Sequence, residues 1–174
     1  MDKIITPPSP TEYDEFFNSY IGNANTDDLL TALAASEEYI VNLMLSLKEQ
    51  QLQHRYQPGK WSIKEMLVHM VDTERIFAYR ALCFARKDKT EFPGFDENAY
   101  ADVSKGDTRA ITSILAEYAA VRQATIELFK NFDEEMLAEV GTASGRKVSV
   151  RAMGFAILGH EIHHLNILRQ RYLV

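Results

Sequence analysis

The placement of proline is the sequence feature that most restricts what this chain can fold into. Its five prolines, Pro7, Pro8, Pro10, Pro58 and Pro93, leave three long segments without one. Because proline breaks the interior of a helix and is confined to the edges of sheets, proline-free segments of this length favour long, uninterrupted elements. The spacing of apolar residues then decides which element each segment forms.

Apolar residues recur at helical spacing in the first two of these segments. The pattern predicts one helix from Thr26 to about Gln50, with Thr26 as its N-cap. It predicts a second helix that begins at the capping box formed by Ser62 and Glu65 and runs to about Lys87. Both helices have one apolar face, which must be buried against another element.

Two further helices are predicted in the second half of the chain. Asp107 is expected to cap a helix whose apolar positions extend over residues 111–132. Ser149 is expected to cap the last helix, over about residues 150–172. Each of the four helices is long enough to span a small domain.

Shorter elements fill the remaining sequence. We expect a short extra helix over residues 11–21, a long loop over residues 88–106, and a small hairpin within residues 139–150. Four long amphipathic helices joined in this way predict an all-α fold, a four-helix bundle, with residues 1–174 as a single domain.

Composition excludes several classes of partner. Nineteen Lys and Arg against 25 Asp and Glu give a formal net charge of -6, so we expect no nucleic-acid partner. The longest weakly polar run, residues 152–159, is far shorter than the roughly 20 residues that cross a bilayer, so we expect no membrane partner. The single cysteine, Cys83, cannot form an internal disulfide. These features, with no apolar signal sequence at the start, predict a cytoplasmic protein.

Two histidines on the core face of the last helix are the strongest functional signal. His160 and His164 are four residues apart and share a face with Ile157 and Leu168. Two imidazoles in an apolar interior need several hydrogen-bond partners or one shared cation, and we favour the cation. His69, at the edge of the core stripe of the second helix, is the third candidate ligand. Three neutral imidazoles would leave a coordination position open, as in catalytic zinc sites.

The same segment matches a protease motif in part. Residues His160 to His164 read H-E-x-x-H, in which two histidines hold zinc and the glutamate activates water. The third ligand of such proteases lies downstream, but the residues after His164 include no His, Asp or Glu. A metal-dependent hydrolase is therefore the alternative, with Glu161 or Asp72 as general base. His163 lies off the core face and is expected outside the ligand set.

Several motifs resemble those of the DinB/YfiT family, whose members are four-helix bundles with a three-histidine site for a divalent metal. The residue runs that carry this resemblance are Tyr56-Gln-Pro-Gly-Lys-Trp61-Ser62, Glu74-Arg-Ile-Phe-Ala-Tyr-Arg80-Ala-Leu82, Phe92-Pro-Gly-Phe-Asp96 and Gly159-His-Glu-Ile-His-His164. Residue by residue, the family's single histidine falls on His69 and its histidine pair on His160 and His164. The resemblance implies zinc or nickel as the cofactor.

The resemblance also implies a function, because characterised relatives are thiol transferases. In that case the metal would bind a low-molecular-weight thiol cosubstrate and direct its sulfur at an electrophile. Arg80 lies near the side of the second helix that carries His69, almost three turns later, and is expected to hold a carboxylate of the thiol or to form a surface ion pair. Phe92, Phe95 and Asp96 are expected to close over the metal. A non-catalytic metal-binding stress-response protein is a further alternative. The family often forms dimers, so a homodimer is allowed, although no second apolar stripe predicts one.

Overall fold

Helices make up most of the structure, a computed structural model that describes residues 3–173. The helices are α1 (Asn18–Asn23), α2 (Leu29–Ser46), α3 (Glu49–Leu52), α4 (Ile63–Ala85), α5 (Glu97–Val103), α6 (Ile111–Lys130), α7 (Glu134–Ala138) and α8 (Val150–Arg171). Strands β1 (Val140–Ala143) and β2 (Arg146–Ser149) pair as an antiparallel hairpin. Short 3-10 turns lie at Pro10–Glu12, Glu15–Phe17 and Gly106–Thr108.

Four long helices, α2, α4, α6 and α8, form the bundle. Helix α4 packs against both α6 and α8, α2 packs against α6, and α1 lies across α8. This arrangement confirms the predicted all-α four-helix bundle, its small hairpin and its extra N-terminal helix, although the last begins only after two 3-10 turns. None of the helices in the described part of the chain is long and apolar enough to cross a membrane.

Local capping explains where two of the long helices begin. The Ser62 hydroxyl accepts a hydrogen bond from the Glu65 N–H at 3.1 Å, and the Glu65 carboxylate accepts one from the Ser62 N–H at 2.9 Å. Ser149 accepts from the Ala152 N–H at 2.9 Å. Each cap satisfies backbone donors that the first turn leaves free. The predicted starts of α4 and α8 are therefore confirmed.

Two other predicted caps are wrong. Asp28 caps α2, and Thr26 instead accepts from the backbone N–H of Asp28 at 3.2 Å. Asp107 does not cap α6, because its carboxylate accepts from the Arg55 guanidinium at 2.9 Å and from the Ser62 hydroxyl. Its partners lie about fifty residues away in sequence, so local spacing gave no sign of them.

Two predicted segments also differ in extent. The first long helix ends at Ser46 rather than near Gln50, because Leu47 has extended backbone and α3 then starts a new turn. The predicted loop over residues 88–106 contains α5, which Asp96 caps by accepting from two backbone N–H groups. A helix of only seven residues is too short to show a clear apolar period.

A layer of polar side chains divides the bundle core into two apolar halves. Ser36, Glu74, Tyr118, Arg122 and Glu161 form this polar layer, with at least one residue from each helix of the bundle. On every one of these helices, the buried apolar residues before and after the layer belong to different halves of the core. At this level, all four helices of the bundle exchange polar contacts.

Arg122 is the centre of the polar layer and is fully buried. It donates to the Glu74 carboxylate at 2.8 and 3.0 Å and to the Glu161 carboxylate at 2.5 Å. Tyr118 donates to Glu161 at 2.8 Å, and Ser36 donates to its other oxygen. Among the described residues, no side-chain polar atom of this layer is buried without a partner. A network satisfied in this way holds the four helices in one relative rotation.

Candidate metal centre

Three buried imidazoles meet between α4 and α8, and we call His69, His160 and His164 the histidine cluster. Nε2 of His160 lies 3.0 Å from Nε2 of His69 and 3.0 Å from Nε2 of His164. One ring nitrogen from each residue lies within 4.8 Å of the others. The structure therefore brings together the three histidines that were selected from the sequence.

Aromatic packing holds these rings in place. A side chain at Gly159 would overlap the carbonyl oxygen of Tyr20, so glycine lets α1 lie directly on α8. The Tyr20 ring consequently packs edge-on against His160, with centroids 5.6 Å apart. The Trp61 ring packs against His69 at 4.6 Å. These contacts restrict the rotation of the imidazoles.

Burial keeps the three imidazoles neutral. Loss of hydration lowers the pKa of His69 to about 4 and that of His164 to about 3. It also lowers the pKa of His160 well below its ordinary value, and the charges of the neighbouring histidines add to this effect. At pH 7 each ring therefore keeps a lone pair, which is the form of histidine that binds metals.

Hydrogen bonds within the cluster do not satisfy these rings. A neutral imidazole has one donor and one acceptor nitrogen, so Nε2 of His160 can make only one good bond to its two close neighbours. Nδ1 of His164 is buried and has no partner in the described part of the chain. Two nitrogens 3.0 Å apart can each lie about 2.0–2.1 Å from one Zn²⁺. The donor set and its spacing thus fit a shared divalent cation.

A cavity of about 440 Å³, the histidine cavity, opens onto the cluster. His69, Thr73 and Arg80 lie on one face of α4, within about 40° of arc, and all three line the cavity. Phe95 and Glu97 contribute wall from the loop before α5 and from its first turn. The volume is in the range that binds small molecules.

Neither carboxylate selected from the sequence lines the histidine cavity. Glu161 belongs to the polar layer, where it accepts from Arg122 and Tyr118. Asp72 is partly exposed beside Arg75, and burial raises its pKa. Glu97 is the only carboxylate side chain among the described residues that line the cavity.

Arg80 lies in the cavity wall. It does not form a surface ion pair, which was the alternative role predicted for it from the sequence. It is 5% exposed, and its Nη2 donates to the carbonyl oxygen of Pro93 at 2.6 Å. Its guanidinium lies 5.7 Å from the centre of the Phe77 ring. Burial lowers the pKa of Arg80, and no neighbouring carboxylate among the described residues opposes this effect.

Two residues of the cavity wall, Tyr20 and Glu97, do not stand out in the sequence, and a third, Trp61, does so only as part of the run from Tyr56 to Ser62. Trp61 stands directly before the Ser62 cap, a position from which a large side chain can cover the first turns of α4. The glycine at position 159, within a helix, is the only local sign that another segment approaches there. Of the three residues expected to close over the metal, Phe95 lines the cavity, whereas Phe92 and Asp96 do not.

The chain is similar to known proteins in both sequence and structure. The model of the DinB superfamily matches residues 32–168, which include the whole histidine cluster. YfiT from Bacillus subtilis, described as a probable metal-dependent hydrolase with an unusual four-helix bundle topology, is similar in structure with a TM-score of 0.68. The match has 16% identity and covers 94% of this chain and 91% of that one. No curated protein matches the chain. Because the family model spans well over half of the residues, the chain belongs to the DinB superfamily.

Proposed function

We propose that the chain is a metal-dependent thiol S-transferase in which His69, His160 and His164 bind Zn²⁺ or Ni²⁺. The observation that carries this proposal is the convergence of three neutral, incompletely hydrogen-bonded imidazoles at the wall of a cavity. Structural zinc sites use four protein ligands, so a three-ligand set leaves a position for a small molecule. Imidazole suits zinc and nickel alike, and elemental analysis of the purified protein would distinguish them.

A divalent cation in this cluster would lower the pKa of a bound thiol from its usual value of about 8.5 and so favour the thiolate nucleophile at neutral pH. The protein's own contribution is enclosure and orientation. Tyr20 and Trp61 pack against the imidazoles, and the cavity beside them has room for a low-molecular-weight thiol and part of an electrophile. Cys83 is not among the described residues of the wall, so the reacting sulfur belongs to a cosubstrate.

Conjugation of a thiol to an electrophile tests this proposal. Metal-loaded protein is incubated with bacillithiol, mycothiol or glutathione and with monobromobimane or chlorodinitrobenzene. We expect at least one thiol to be conjugated faster by the wild type than by His160→Ala. His54→Ala is the control, because His54 is exposed and packs against Tyr172, away from the cluster. Equal rates for the wild type and His160→Ala would contradict thiol transfer for these thiols.

A metal-dependent hydrolase is the second candidate, and one observation favours it. Glu97 places a carboxylate in the cavity wall, whereas Glu161 is engaged by Arg122 and Asp72 lies elsewhere. YfiT, a similar structure, is itself described as a probable metal-dependent hydrolase. In this case we expect Glu97 to be the general base rather than Glu161 or Asp72.

An ester and amide panel tests the hydrolase. Cleavage that is lost in Glu97→Gln but kept in Asp72→Asn would support Glu97 as the base, and cleavage kept in Glu97→Gln would contradict it. Stoichiometric metal binding without either reaction would favour a non-catalytic metal-binding stress-response protein. For each of these three functions, we expect a cytoplasmic protein whose ligands are small molecules. Light scattering of the purified protein would show whether it forms a homodimer.

A further inference from the structure

A buried guanidinium without a counter-charge lies in the wall of the histidine cavity. Arg80 is 5% exposed, and its hydrogen bond to the Pro93 carbonyl is to a neutral acceptor. Arg122, the other deeply buried arginine, is paired with the carboxylates of Glu74 and Glu161. Since burial of an unpaired cation is unfavourable, the contrast indicates that the partner of Arg80 is an external anion.

The packing around Arg80 leaves the edge of its guanidinium available. The Phe77 ring lies 5.7 Å from the guanidinium carbon, and only Nη2 donates to a described residue. A guanidinium has five N–H donors in one plane, and two of them on one edge match the two oxygens of a carboxylate. The site therefore retains donors in a planar arrangement suited to an oxyanion.

The position of Arg80 also relates it to the histidine cluster. Arg80 lies on the same face of α4 as His69, eleven residues further on, which separates their Cα atoms by roughly 16 Å. A second cavity of about 370 Å³ shares Arg80, Gly94 and Phe95 with the histidine cavity. A ligand that reaches both the imidazoles and Arg80 is thus an elongated molecule with an anionic group at or near one end.

We propose that Arg80 forms an anion subsite that recognises a carboxylate on the ligand of the histidine cavity. This inference rests on the proposed function only in placing a ligand in that cavity, and it does not require the ligand to be a thiol. Arg80 is the only Arg or Lys among the described residues of the cavity wall. One guanidinium matches one carboxylate, whereas a phosphate dianion is usually held by several donors.

Calorimetric titration of zinc-loaded protein tests the subsite. The probes are glutathione, succinate and inorganic phosphate, and the variants are Arg80→Met and Arg80→Lys. We expect the wild type to bind succinate or glutathione, Arg80→Met to bind it at least about 10-fold more weakly, and Arg80→Lys to fall between them. Arg86→Met is the matched control, because Arg86 is an exposed arginine at the end of α4. It should bind each probe as the wild type does.

Thermal unfolding of the metal-free proteins separates recognition from a structural role. Removing an unpaired buried charge should leave the midpoint of Arg80→Met unchanged or raised. A midpoint lower by more than about 3 °C would show that Arg80 supports the fold and would overturn the inference.

The binding results also separate this inference from the proposed function. Equal binding of the probes by the wild type and Arg80→Met would overturn the subsite alone. Binding of succinate but not of glutathione, lost in Arg80→Met, would support the subsite and count against glutathione as the cosubstrate. Phosphate bound more tightly than succinate would overturn the carboxylate assignment. No binding of any probe by the wild type would overturn the subsite, whereas the conjugation assay decides thiol transfer with the other thiols.

Discussion

Two buried polar clusters lie on different faces of α8, and they differ in how completely their groups are paired. In the polar layer, Glu161 accepts from Arg122 and Tyr118, and the described polar atoms all have partners. In the histidine cluster, Nε2 of His160 lies 3.0 Å from two other Nε2 atoms and can form a good hydrogen bond to only one of them, and the rings open onto a cavity. Polar groups that satisfy one another serve the fold. Polar groups left incomplete beside a cavity indicate a ligand.

The two clusters are also coupled through the helix that carries both. Glu161 directly follows His160 in sequence, so the contacts that fix Glu161 also fix the rotation of α8 about its axis. That rotation decides whether His160 and His164 face His69. The polar layer therefore positions the histidine cluster without touching a ligand.

The largest expected effect of a single substitution is on stability, from breaking the polar layer. In Arg122→Met, the carboxylates of Glu74 and Glu161 lose the cation that both share. We expect the free energy of unfolding to fall by about 3–5 kcal/mol, as measured by urea denaturation. Adding Glu74→Gln and Glu161→Gln should recover part of this loss, because the buried charges are then gone. A stable Arg122→Met with no effect of the added changes would contradict a structural role for the layer.

Acidification is expected to act on the histidine cluster of the metal-free protein. In the unfolded chain, histidines gain protons near pH 6.5, whereas in the fold His69 does so only near pH 4 and His164 near pH 3. The unfolded state therefore takes up protons first, and stability is lost as the pH falls from about 6.5 towards 4. We expect a loss of about 2 kcal/mol per histidine at pH 5, measured by urea denaturation at pH 7.5 and 5.

The matched variant for this pH effect is His69→Gln. It removes one of the imidazoles that the fold keeps neutral, so it should lose less stability between pH 7.5 and 5 than the wild type does. An unfolding free energy that does not change between these pH values would contradict burial of neutral imidazoles.

The smallest expected effect compares two buried threonines. Thr125 donates to the carbonyl oxygen of Val121 at 3.0 Å, whereas the hydroxyl of Thr73, on the cavity wall, has no partner among the described residues. Thr125→Val should lower the free energy of unfolding by about 1 kcal/mol, and Thr73→Val should leave it unchanged or raise it. Calorimetric melting of both variants checks this. An equal loss in the two would show that the Thr73 hydroxyl is paired after all.

Features that depend on neighbours in sequence could be predicted from the sequence. The Ser62 and Ser149 caps and the apolar faces of the long helices are local, and the bundle follows from them. His160 and His164 could be placed on one core face because a helix brings residues four apart together. The position of His69 beside these two histidines could be predicted only by also expecting that α4 and α8 face each other.

Features that depend on distant partners could not be predicted in the same way. Three charged residues stand at positions where the helical period expects apolar core residues, namely Glu74, Arg122 and Glu161. This spacing indicates that they are buried, but the sequence does not show that they pair with each other. The same holds for Glu97, which reaches the histidine cavity only because α5 packs against α4. Long-range pairing, rather than helix formation, limited the prediction of the site.

Equilibrium zinc binding tests the central claim most directly. We expect one Zn²⁺ per wild-type chain, measured by competition with a chromophoric chelator. His160→Ala should bind Zn²⁺ at least about 100-fold more weakly. Even the loss of a group that only orients a metal ligand lowers metal affinity by about 10- to 100-fold. His163→Ala, the same change at an exposed neighbouring histidine outside the cluster, should stay within about 3-fold of the wild type. No zinc binding by the wild type, or equal affinities for the wild type and His160→Ala, would contradict a metal centre built from the histidine cluster.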